Sequence, residues 1–329
     1  MNLYAHADET TNRITMEYLF SILDKILFII ILMALGVLVK RLGWVSDQGE
    51  KDLSVLMVDF IWPCMIFSSV VTSLTAADIT ANIWLPILSV VIHLTGYALG
   101  LIACRIFGYQ GDERSMLLLH AAMNNFFVMA LPFAQYFYPG KGAALLAVAN
   151  LGSILSLWTL GVFIVAGNVG FKQTVKNILC PGMVATVAAI LCVFSGINRF
   201  IPQLILDVLH LCGQPTMLLG LLIAGTQIYK LGRKALKFNR WNILVGLIRN
   251  ILVPGLMLCL ALLLKGRLTR EALTIFMLIS MTPASVNSVT LALKYDSSPN
   301  LAAEGVIFTH LLAVASMLGF VVLVEMFVM

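Results

Sequence analysis

Charge is the scarcest thing in this chain. Asp, Glu, Lys and Arg make up 11% of its 329 residues, against roughly 25% in soluble domains. With 60% hydrophobic residues and a mean hydropathy of +0.97, this excludes a soluble globular protein and a disordered one. Alternating ten-residue apolar segments are missing too, which excludes an outer-membrane β-barrel. The six cysteines (64, 104, 180, 192, 212 and 259) contain no Cys-x-x-Cys pair and stand in or beside apolar runs. They read as buried free thiols, not as a disulfide framework or zinc site, and no cofactor or metal is expected. The net charge of +5 has no basic stripe interleaved with aromatics, so nucleic acid is not a partner. Catalytic signatures are absent as well. There is no His-Glu-x-x-His and no Gly-x-Ser-x-Gly, and Tyr295-Asp296 is not followed by the Gly-x-Gly-Asp of an intramembrane aspartyl protease. The sequence predicts no enzyme.

What it has instead is long apolar runs. A spanning helix needs about 20 largely apolar residues. Ten segments qualify: 22–40, 53–73, 83–104, 115–137, 143–167, 178–197, 204–228, 242–264, 271–293 and 301–328. The first is no signal peptide, because Lys40-Arg41 follow it where small residues would mark a cleavage site. The expected class is an all-α polytopic membrane protein of the cell membrane, with the lipid bilayer as its solvent. Residues 1–15 read as a polar N-terminal tail.

Loop charges orient the spans. The odd-numbered loops hold 13 Lys and Arg, while the tails and even-numbered loops hold 7; Arg249 lies inside the eighth span. Positive-inside bias therefore puts the odd loops in the cytoplasm and both termini outside. Five spans precede a basic connector, 168–177, and five follow it. Residues 16–167 and 178–329 thus read as two five-helix repeats of opposite orientation. Prolines match between them: Pro63 and Pro215 are 152 apart, Pro132 and Pro283 are 151 apart. Broken helices at corresponding places in inverted halves point to a transporter's central site.

The fourth span reads HAAMNNFFVMALPFAQ and the ninth LISMTPASVNSVTLALKY. Proline inside a helix removes one backbone bond and clashes with the preceding turn. Non-helical backbone at membrane depth persists only inside protein or beside a wet cavity. Asn124, Asn125, Thr282, Ser285, Asn287 and Ser288 cluster around Pro132 and Pro283 as candidate substrate ligands. Half-helix N-termini and neutral amides at one point suit an anion such as a carboxylate. The plainer alternative makes these residues interhelical glue. Intramembrane ionisable groups add coupling or gating candidates. Asp59 lies one turn before Pro63, and His120 one turn before Asn124. Arg249 stands about 12 Å along the eighth span, where it either snorkels to the cytoplasmic face, the favoured reading, or reaches a substrate anion.

Three stretches resemble the auxin efflux carrier family: LGVLVKRLGWVSDQGEKDLSVLMVDFIWPCMIFSSV, then Asn125–Pro132, then TPASVNSVTLALKYDSSPNLAAEGVIFTHLLA. The resemblance implies two inverted five-helix repeats divided into a scaffold and a mobile, elevator-like transport domain. It also implies movement of organic anions, auxin-like or dicarboxylates such as malonate and malate. By motif position, Asn125, Pro132, Pro283 and Asn287 would line the substrate site. Asn124 stands where the family usually has Gly, Ala130 replaces another Gly, and Asp59 replaces an uncharged polar residue. A sodium-coupled organic-anion symporter of the bile-acid type and a non-transporting ligand sensor are the rival functions. The sequence leaves open a homodimer and coupling to a proton or sodium ion.

In a cysteine-free background, an impermeant thiol label applied outside should reach a cysteine placed at Asn2 but not one at Lys234. Labelling at Lys234 would reverse the orientation.

Overall fold

The computed structural model describes residues 24, 27–127, 129–167, 170–231 and 238–327, and the polar tail 1–15 lies outside them. The described residues are helical, with no named strand among them. Helix α1 covers residues 27–41. It is followed by α2 (Asp47–Ser73), a short lead-in Ala76–Ala81, and α3 (Leu85–Phe107). The fourth apolar segment is two helices, α4 (Gly111–Ala122) and α5 (Leu131–Phe137). Next come α6 (Gly142–Ala166), α7 (Phe171–Ile178), α8 (Pro181–Ser195), α9 (Gln203–Gly213) and α10 (Thr216–Leu231). The chain ends with α11 (Arg240–Leu264), α12 (Arg270–Ser280), α13 (Asn287–Lys294) and α14 (Pro299–Phe327).

Helix therefore lies over each of the ten apolar segments. Among the described residues, five helices are long and apolar enough to cross a membrane, or seven if two bent pairs each count as one. Those pairs are α7 with α8, bent by 65°, and the two parts of α14, bent by 48°. Residues 171–177 of the connector expected at 168–177 are thus helical. Leu94, Ile102, Leu191, Phe194, Leu211 and Leu263 are among many large apolar side chains on the outside. Such a surface needs lipid around it.

Helix ends follow local chemistry. Ser46, Asn239 and Thr269 accept the backbone N–H of Gly49, Asn242 and Ala272, and Thr75 forms a capping box with Asp78. Gly108 ends α3 in the left-handed region at φ 74°. At the start of α6, Lys141 donates to Asp78 at 2.6 Å, a bond that raises the lysine above its ordinary value. Three π-helical turns, Met57–Ile61, Leu157–Gly161 and Ile248–Leu252, interrupt α2, α6 and α11.

The helices sort into two packed groups. In one, α2 lies against α8 and α9, and α10 lies against α2. Close approaches tighten this group: a Cβ on Gly225 would strike the Met33 carbonyl, and one on Gly213 the backbone of Met65. Lys40 and Lys230 bracket Asp47 and the buried Glu50 at 2.8–3.5 Å, tying α1, α2 and α10 together. In the other group, α3 packs on α4 and α6, while α14 packs on α13, α11 and α4. Gly96 of α3 abuts the Ala121 carbonyl of α4. The groups meet through α2 and α8 on α6, and Trp62 stacks edge-on against Phe127 at 5.2 Å.

Gly225→Val should overfill the α1–α10 contact. Overpacking costs about 1–3 kcal/mol, read as an apparent melting temperature lower by several degrees. Gly255→Ala, with nothing within 4 Å of its Cβ, should leave it unchanged; equal effects would refute the contact.

Candidate functional site

The two interrupted segments cross. After α4 the chain is extended at Met123 (φ −90°, ψ 130°) and becomes helical again at Leu131. After α12 it is irregular until Asn287. The breaks pair as an antiparallel bridge, Asn124 opposite Ala284. The Asn125 N–H donates to the Pro283 carbonyl at 2.8 Å, and the Ser285 N–H donates to Met123 at 3.0 Å. The N–H of Ala284 donates to the Thr309 hydroxyl of α14 at 3.2 Å. Backbone released from one helix is thereby satisfied by the other, as an apolar surrounding demands.

Arg249 does not snorkel. It is fully buried in the π turn of α11. Its guanidinium donates to the Ala121 carbonyl at 3.4 Å and to the Ser280 carbonyl. These belong to the last turns of α4 and α12, so the cation sits where two negative helix ends converge. Beside it, Asn250 donates to the Thr309 carbonyl at 2.9 Å.

The candidate ligands separate by surroundings. Asn124 is buried, with Oδ1 accepting from His93 Nε2 at 3.0 Å and Nδ2 donating to the Ile279 carbonyl at 2.7 Å. It braces the crossing. Thr282 and Ser288 are buried and donate to Ile279 and Ser285 carbonyls at 2.7 Å each. Pro132 is buried near the start of α5. Asn125 is half-buried, and its Nδ2 lies 3.3 Å from His310 Nε2. Ser285 accepts the Asn287 N–H at 3.3 Å, and Asn287 is exposed at the start of α13. Asn125, Pro283, Ser285 and Asn287 are therefore gathered at the crossing.

The coupling candidates are more scattered. His120 is buried, its ring nitrogens 2.6 and 2.8 Å from the Met116 and Ala302 carbonyls. Asp59 lies in the π turn of α2 and is exposed, not turned into the crossing. Pro63 follows the same turn, and Pro215 lies between α9 and α10. Both belong to the other helix group. His93 and His310, which the sequence reads as neutral and hydrogen-bonded to a neighbour rather than as site residues, each hold one of the consecutive asparagines. Their only signal was a polar residue in an apolar run. No group of three His, Cys, Asp or Glu able to hold a metal occurs among the described residues.

Arg249→Leu should orphan two buried carbonyls, at about 1–3 kcal/mol each. The expected result is a melting temperature much lower than wild type, with Arg249→Lys in between. A melting curve unchanged by Arg249→Leu would remove the guanidinium from its bracing role.

Comparisons with known proteins point to membrane transport. A model of the family described as "Membrane transport protein" matches residues 21–170. An uncharacterized transporter of Methanothermobacter thermautotrophicus is 21% identical over 299 residues, covering 89% of this chain and 95% of the relative. An uncharacterized transporter of Saccharomyces cerevisiae is 27% identical over 106 residues, 32% of this chain and 25% of that protein. The resemblance at the two helix breaks, the matched family model and the full-length archaeal relative lead to one conclusion: this multi-pass membrane protein is similar to membrane transporters of the auxin efflux carrier family.

Proposed function

We propose that the chain is a secondary transporter that moves a small organic anion, a mono- or dicarboxylate, through alternating access. The observation that carries this reading is the antiparallel pairing of the two helix breaks, with half-buried Asn125 and exposed Asn287 beside it. Two neutral amides and the positive end of α13 offer donors to a carboxylate. Arg249 is held by helix ends, so no fixed cation need bind the anion irreversibly.

The division into two helix groups supports an elevator-like movement, with α3–α6 and α11–α14 as the mobile part and α1, α2 and α8–α10 as scaffold. Ten spans in two inverted repeats, 16–167 and 178–329, fit the helices lying over all ten segments. The proline pairing fits as well. Pro132 and Pro283 flank the crossing, and the Pro215 turn adjoins α2 next to Pro63, where Gly213 touches Met65. On this reading both termini are outside and the basic odd loops cytoplasmic.

A hydrogen bond to a charged group is worth roughly 1.5–3 kcal/mol, and about 1.4 kcal/mol is tenfold in affinity. Asn125→Ala and Asn287→Ala should each weaken carboxylate binding by roughly one to two orders of magnitude at unchanged expression. The measurement is binding and counterflow of malonate, malate and indole-3-acetate in proteoliposomes. Normal binding by both variants would move the anion away from the crossing.

A further inference from the structure

Three histidines lie inside the helix packing, and they differ in what their ring nitrogens face. His93 must donate from Nε2, because Asn124 Oδ1 is fixed as an acceptor by the bond from Nδ2 to Ile279. A second proton there would place a cation within electrostatic reach of Arg249. His120 faces two backbone carbonyls, and neither can turn into a donor. His310 is different. Its Nδ1 lies 2.7 Å from the Val306 carbonyl, which only accepts, so Nδ1 carries a hydrogen. In the neutral ring Nε2 is then a lone pair, and the group opposite it is the Asn125 amide at 3.3 Å. An amide can reverse its role. A half-turn exchanges Nδ2 for Oδ1 and keeps the bond with a protonated Nε2.

We propose that His310 is a proton-binding residue of the crossing and takes up its proton together with the transported anion. This rests on the anion site proposed above. Neutral His310 holds Nδ2 of Asn125, which leaves Oδ1 toward the other side and repels a carboxylate. When a proton from the open aqueous side bonds to the Nε2 lone pair, the amide turns. Oδ1 then accepts from the new N–H, and Nδ2 is presented to the anion. The imidazolium also balances one negative charge of the bound anion. After the protein opens to the other side, the Nε2–H bond breaks, the proton leaves with the anion, and the amide turns back. Anion affinity therefore rises as pH falls through the His310 midpoint, and by linkage the bound anion raises that midpoint.

The field around His310 is simple. His120 on α4 is the titratable group within electrostatic reach. On the other helices packed against α14, Arg249 faces Ala121 and Ser280, Arg240 lies over Phe107, and Lys294 lies over Trp158 and Tyr295. Lys265 bonds the Phe327 carbonyl, Lys230 pairs with Asp47 and Glu50, and Glu271 meets Asn82. Glu304 stands earlier on α14 itself. Among the described residues no carboxylate is hydrogen-bonded to His310.

The first arm of the test needs no ligand. In nanodiscs, 15N-histidine spectra of wild type and H310Q identify the His310 signals. They should show the Nδ1–H tautomer at high pH and an imidazolium at low pH. N125D should raise the midpoint by roughly one to three units, since a carboxylate favours the charged ring. An Nε2–H tautomer, or a midpoint unmoved in N125D, overturns the proposal. The second arm adds malonate, malate or indole-3-acetate to weakly buffered protein with a pH dye. Above the midpoint, wild type should take up about one proton for each anion bound, and H310Q none. Binding to wild type without proton uptake also overturns it. Failure of all three anions to bind wild type instead defeats the anion site, and the ligand-free titration then decides His310 alone.

Discussion

Backbone released at membrane depth has no water to turn to, and every other feature of the crossing follows from that constraint. Two helices stop short where Met123, Asn124, Thr282 and Ala284 are buried, and each break supplies the partners the other lacks. The pairing is a few bonds long, but it dictates which neighbours are tolerated. Ala121 and Ala122 come so close to α3 that only a glycine fits at position 96. Thr309 of α14 must offer its hydroxyl to Ala284. The carbonyls that end α4 and α12 still point inward, and one guanidinium answers both.

The position of that guanidinium changes the electrostatics expected from the broken helices. A cation at the negative ends of two helices is stabilised in place and is largely neutralised by them. It braces the crossing through the Ala121 and Ser280 carbonyls. On the reading proposed above, an anion would meet two amides and a helix N-terminus with no permanently charged cation, a site that binds without holding permanently. Release, which any carrier needs as much as binding, benefits from this restraint.

Much of this was legible in the sequence. The apolar runs mark where helices form, and Pro132 and Pro283 mark where two of them break. The separation of the neighbours Asn124 and Asn125 was not legible. Read as helix, they lie on overlapping faces. In the extended backbone after Met123 they point to opposite sides, one toward His93 and Ile279, the other toward His310. Their histidine partners are 31 and 185 residues away, with no periodicity to connect them. Arg249 was misjudged for a related reason. Its distance from the helix end suits a snorkelling side chain, and only the arrival of two helix ends from elsewhere in the chain makes the interior favourable.

The π turn that carries Arg249 sets the phase between the two ends of α11. It holds one residue more than an α-helical turn would, and each α-helical residue advances the helix by about 100°. With the extra residue at Ile248–Leu252, Arg249 and Asn250 face inward while Ile251 and Leu252 remain exposed. A π turn passed one step along a helix exchanges hydrogen bonds without breaking the helix, and it rotates the residues it passes. In α11 such a step would swing the guanidinium out of line with Ala121 and Ser280 while both ends of the helix kept their packing. The brace of the crossing is thus mounted on the part of α11 whose angular setting is easiest to change.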